Sequence, residues 1–271
     1  MKRRDHLLSG PATLVVLGTA LVVCTLVSFL FGRYPVPFRE LCGILGDRFL
    51  SLFGGGIDQF WTDAMYAAVW NVRLPRVLMS VLVGACLSAA GAAYQGVFQN
   101  PMAAPDVLGA SAGAGFGAAL AIFFGLSSAK ITIAAFGMSL LTVSLVFWVS
   151  RRAKGEKTLG LVLAGIMISS LFEAGTSFIK LAADPNNKLP EITYWLMGSL
   201  SGAKWSEIQF VFWPMLLGLV PLFALRWRLN VLSMGDDEAR SMGVDAGRLR
   251  VGVIVAATLV TASSVSVSGM I

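Results

Sequence analysis

The sequence predicts an all-α fold, a polytopic transmembrane helix bundle, on three observations. Of its 271 residues, 56% are hydrophobic and 13% charged, against roughly 25% charged in an average soluble domain. The apolar residues gather in runs of about 20, enough to cross a hydrocarbon core of about 30 Å. Two small-residue apolar segments are joined by a polar elbow, Gln95-Gly96-Val97-Phe98-Gln99-Asn100-Pro101-Met102-Ala103-Ala104-Pro105. Irregular polar backbone is tolerated at membrane depth only against protein or a water-filled path, and small residues there let helices approach closely.

Seven spans follow in order, at about 12–32, 76–95, 106–126, 130–150, 158–181, 207–225 and 250–268. The first comes after the basic residues Met1-Lys2-Arg3-Arg4. Its apolar run, Thr13 to Phe31, is longer than the roughly 7 to 15 residues of a signal-peptide core and lacks a small-x-small cleavage site. It reads as an uncleaved first helix. The second span begins after Arg73-Leu74-Pro75-Arg76 and ends at the elbow, where Pro101 and Pro105 cannot continue a helix and force a turn. The third carries Gly109, Gly113 and Gly117 every four residues, a small-xxx-small face for close helix packing. Between the fifth and sixth spans a short interfacial helix is expected around Ile192 to Met197. The spans leave no room for a soluble domain, so residues 1–271 read as one membrane domain.

Twelve of the 21 Lys and Arg fall in the segments that lie inside if the amino terminus is inside: 1–11, 151–157 and 226–250, with none in the fourth, 96–105. That bias predicts a cytoplasmic amino terminus and places the elbow on the cytoplasmic side. It also accounts for the net charge of +6 without nucleic acid, since the basic residues lack the aromatic interleaving that single-stranded nucleic acid requires. Cys24, Cys42 and Cys86 have no metal-like spacing and His6 is the single histidine, so no metal site or directly bound cofactor is expected. Gly113-Ala114-Gly115-Phe116-Gly117-Ala118 loosely matches a dinucleotide fingerprint, but no strand precedes it.

Leu74-Pro75-Arg76, Gly84-Ala85, Gly91, Gln95, Asn100-Pro101-Met102-Ala103, Pro105 and Leu108-Gly109-Ala110-Ser111-Ala112-Gly113-Ala114 together resemble the FecCD family signature. These are permease subunits of binding-protein-dependent ABC importers for iron-siderophores, haem and vitamin B12. Tyr194-Trp195-Leu196-Met197-Gly198-Ser199-Leu200 and the segment Leu232 to Val244 extend the resemblance. In that segment Asp236, Asp237 and Glu238 suit the positive end of a helix and Gly243 its carboxyl end, giving about two turns within the expected cytoplasmic region 229–249.

The resemblance implies that Gly235, Asp236, Asp237, Glu238, Ala239, Met242 and Gly243 dock on an ATP-binding subunit that holds ATP and magnesium. The chain itself has no Gly-x-x-x-x-Gly-Lys-Ser/Thr sequence to cradle nucleotide phosphates. The resemblance also implies a second copy of the chain, with the pathway at the homodimer interface, and an extracytoplasmic substrate-binding protein docked on Arg73 and Arg76. Read by themselves, those arginines are equally well snorkelling anchors in lipid. Gln95, Asn100, Pro101 and Thr158 are expected at the cytoplasmic gate, although Thr158 also suits a helix amino terminus. Glu173, an acid well inside a span, either faces the pathway or makes a structural polar contact.

The expected activity is ATP-driven uptake of a metal chelate, first an iron-siderophore, across a bacterial or archaeal cytoplasmic membrane. A corrinoid, haem or an oxyanion such as molybdate is the alternative. A secondary transporter using Glu173 is the rival of another class. Family members continue past Ser268-Gly269-Met270-Ile271 with a Pro-His-containing segment and about three more spans, so the chain is expected to be truncated or a fragment of a ten-span protein.

Overall fold

A computed structural model describes residues 10–32, 34–51, 53–152 and 157–270. Lys2, Arg3, Arg4, His6, Arg33, Lys154 and Ile271 lie outside the described residues. Among those described, six helices are long and apolar enough to cross a membrane, and a shorter apolar helix corresponds to the third expected span. The all-α polytopic bundle is thus observed. The chain forms two compact units, residues 1–78 and 79–271.

In the first unit, α1 (Gly10–Ser28) is apolar on every side and buries no residue, as befits a helix whose solvent is lipid. The stretch between the first two expected spans holds α2 (Phe38–Ser51), which the sequence reading missed. Leu41 and Ile44 pack there with Phe29, Val36, Trp61 and Val69. Gly43 is required by close approach, because a Cβ would come within 2.5 Å of the Phe60 ring. Asp47 Oδ1 accepts from the Ile57 amide at 2.9 Å and closes the turn after α2.

The second expected span is longer than its hydropathy suggested. Thr62 caps α3 (Asp63–Ala67) by accepting from the Met65 amide, a π-helical turn follows at Ala68–Arg73, and α4 (Leu74–Phe98) continues without a break. Pro75 cannot donate within this helix. The wider turn just before it, with the Leu74 amide donating to Val69 O, accommodates the change of register without a break.

In the second unit, α4 leads through the elbow to α5 (Ala110–Phe123), α6 (Ser128–Ser150), α7 (Lys157–Ala182), α8 (Lys188–Met197), α9 (Trp205–Ala224), α10 (Arg226–Leu232), α11 (Asp236–Ser241) and α12 (Ala246–Ser268). The expected helix near Ile192 is α8, and α10 is a further short helix. The most buried of the long helices is α12. Its Val253, Ile254, Ala257 and Val260 share a core with Met79, Val83, Ala90 and Val97 of α4 and with Val211 and Met215 of α9. Its hydroxyls, including Thr261, Ser264 and Ser268, donate back to carbonyls four residues earlier, so polar side chains are buried without being orphaned.

The third span is helical over only 14 residues, about 21 Å long. Gly109 (φ +75) precedes it and Gly125 (φ +69) follows its end. Gly113 and Gly117 lie against α6: a Cβ on Gly113 would meet Thr142 Oγ1 at 1.9 Å, and one on Gly117 would meet Ala134 O at 2.5 Å. Gly109 does not share their helix face, because it is the residue before the helix; a Cβ there would meet Ser169 Oγ of α7 at 2.0 Å. The small-residue ladder is therefore two contacts with α6 and one with α7.

Candidate gate and coupling site

The elbow is held at both ends. Gln99 ends α4 in the left-handed region (φ 49), alone among described non-glycine residues. Asn100 Oδ1 then accepts from the Met102 amide at 2.9 Å, and Asn100 O accepts from the Ala103 amide, an Asx turn that the following proline favours. Met102 is thrust outward at 85% exposure. On the far side, Gly109 has no side chain to cap α5, and Asp106 supplies the cap by accepting from the Ser111 amide at 2.6 Å. Pro105 rests against Gly91, and its carbonyl accepts from Thr261 of α12 at 3.5 Å.

The sequence reading placed the elbow, the start of the fifth span and the segment near Asp236 on one side of the membrane. The structure brings all three together around a cavity of about 330 Å³, lined by Phe98, Gln99, Thr158, Asp236, Arg240 and Arg250 among others. Thr158 is half-buried in the first turn of α7, Asn100 and Pro101 are exposed at the elbow tip, and Gln95 is exposed on α4. Glu173 is exposed on α7.

Helix α11 matches the two expected turns. Gly235 (φ +139) precedes it and Gly243 (φ +77) follows it. Asp237, Glu238 and Met242 are exposed and form its outward face. Ala239 is fully buried, and Asp236 is half-buried and bound to Arg250. Asp236 receives both terminal nitrogens of Arg250, Nη2 at 2.9 Å and Nη1 at 3.4 Å, the bidentate geometry that favours arginine. Arg250 is buried near the start of α12, and its Nε has no partner. This pair escaped the sequence reading, which counted Arg250 only as a topogenic charge. Its place at the edge of an apolar span was the available signal, since a charge there requires a partner.

Arg73 corrects an expectation. It is buried at the end of the π-helical turn, and its guanidinium donates to Phe29 O at 2.5 Å and also to Tyr34 O. These bonds fasten the end of α1 inside the first unit and hold the Arg73 guanidinium in the interior. Arg76, three residues on in α4, is exposed while Arg73 is buried, so the two do not present a common surface.

A polytopic bundle with a bent polar elbow and a short acidic helix bonded beside it defines a class, the membrane permease. The chain belongs to the FecCD transport family, which matches residues 20–271. It is 35% identical over 263 residues to the molybdate import system permease protein of Haemophilus influenzae, covering 97% of this chain and 76% of that one. It is 36% identical to the Fe(3+)-citrate import system permease protein of Bacillus subtilis, covering 95% and 73%. A solved inward-facing metal-chelate-type ABC transporter is similar at TM-score 0.79 and 34% identity, covering 96% of this chain and 76% of that one. The relatives are permease subunits of ABC transporters, and the present chain is a multi-pass membrane protein of that kind.

Proposed function

We propose that this chain moves a metal chelate inward, most simply an iron-siderophore, as the permease subunit of an ATP-driven importer. A partner subunit supplies ATP hydrolysis and binds ATP and magnesium, and an extracytoplasmic binding protein delivers the substrate. Two copies enclose the pathway, with Glu173 on the face between them, where an acid within a span avoids lipid. The amino terminus is cytoplasmic, and Gln95, Asn100, Pro101 and Thr158 form the cytoplasmic gate.

The observation that carries this reading is the cavity that α11 and the elbow line together. A helix with an exposed acidic and methionine face, suited to a partner, lines the same cavity as the bent polar segment after α4. Glu238→Arg should abolish co-purification of the ATPase subunit while the permease stays in the membrane. Retained co-purification overturns the docking assignment. Molybdate is the second substrate reading, supported by the molybdate permease at 35% identity. Competition between labelled molybdate and a ferric siderophore for uptake separates the two.

A further inference from the structure

Gln99 bonds the elbow directly to the chain leading into α11. Its Nε2 donates to Leu232 O at 3.0 Å. Leu232 is fully buried, ends α10, and its carbonyl also accepts from the Gly235 amide at 3.2 Å. Gly235 is the residue before α11. One carbonyl oxygen therefore joins the elbow to the start of the helix expected to meet the ATPase. One turn earlier, Gly96 presses on α10 so closely that a Cβ would lie 2.9 Å from Leu229 Cγ. The end of α4 is thus fixed to α10 at two points, one by packing and one by a directional bond.

The backbone of Gln99 fits the same account. A left-handed conformation suits glycine or asparagine and disfavours a glutamine. Neither of the favoured residues has a side chain long enough to keep the amide at Leu232 O, so the strained residue is the one that makes the bond.

We propose that Gln99 is a positioning residue that transmits displacement of α11 to the elbow through its bond to Leu232 O. The proposal rests on the coupling role given to α11 above. When α11 shifts, the Leu232 carbonyl shifts with it, and Gln99 carries that movement into the adjoining Asn100-Pro101 turn. Arg250 keeps α11 seated on α12 through Asp236, so α11 shifts with α12 and does not swing free.

The test reads elbow movement directly and needs no transported substrate. In a chain whose Cys24, Cys42 and Cys86 are replaced, Met102→Cys is labelled with a membrane-impermeant maleimide in the complex with its ATPase subunit, with and without vanadate-trapped nucleotide. Trapping is expected to change the labelling rate at least about fivefold. Gln99→Glu, which has the same shape but no donor, should lose that change while ATP hydrolysis stays within about twofold. Gln99→Lys, which restores a donor in a different shape, should recover most of it. A merely space-filling role predicts the reverse order of the two variants. An undiminished change in Gln99→Glu overturns the link and leaves the permease reading intact. No nucleotide-dependent change with Gln99 present overturns the coupling role of α11 and this proposal together.

Discussion

Neutralising Asp236 should loosen α11 without unfolding the bundle. The Arg250 side chain is 11% exposed and that of Asp236 40%. Exposed pairs contribute about 0 to 1 kcal/mol, and breaking a fully buried pair costs about 3 to 5 kcal/mol. Water reaches this pair from the Asp236 side only, so Asp236→Asn is expected to cost about 2 kcal/mol, between those limits. Arg250 would then lack a counter-charge as well as a partner for Nε. The cost falls on the local opening of α11, where about 2 kcal/mol is roughly a 30-fold change. Hydrogen exchange of the Ala239 and Met242 amides, bonded to Gly235 O and Glu238 O, reports that opening. Asp236→Leu with Arg250→Met should restore most of the protection by removing both charges. Asp237→Asn should change little, because the Asp237–Arg240 pair is 3.8 Å long and exposed on both sides. Unchanged exchange in Asp236→Asn alone would refute the claim that this pair seats α11.

Gly113→Ala should destabilise the detergent-solubilised protein by about 2 kcal/mol in chemical denaturation, because its Cβ would meet both Thr142 Oγ1 and, at 2.8 Å, the fixed carbonyl of Met138. Adding Thr142→Ala should recover only part of the loss, and Gly137→Ala on α6, which meets nothing within 4 Å, serves as the tolerated comparison. Arg73→Ala should cost about 2 kcal/mol by removing charge-assisted bonds to Phe29 O and Tyr34 O. Its affinity for a binding protein, measured on folded protein, should not change, in contrast to the docking role first expected of Arg73.

Long-period hydropathy identified the spans because helices in lipid must satisfy their backbone internally, which leaves an apolar run in the sequence. The elbow was legible through Pro101 and Pro105, and α11 through its acidic start and Gly243. Features set by distant contacts were not. The partner of Arg250 lies 14 residues away across a turn, and the bond from Gln99 to Leu232 spans 133 residues. Hydropathy also passed over α2, whose buried face is short and whose sequence is broken by Arg39, Glu40, Asp47 and Arg48. The π-helical turn has no composition signal of its own; Pro75 was the only hint that the register changes there. The inward turn of Arg73 depends on carbonyls 44 and 39 residues away, at Phe29 and Tyr34, which a spacing of three from Arg76 does not reveal.

Substrate flux into proteoliposomes tests the central claim most directly. The permease is reconstituted with its ATPase subunit and binding protein, and labelled ferric siderophore and molybdate are supplied on the binding-protein side. The account predicts uptake of one of them that requires ATP on the opposite side, stops with vanadate and persists with an uncoupler. Uptake that ignores ATP and vanadate but collapses with the uncoupler and with Glu173→Gln would contradict it and identify an ion-driven transporter instead.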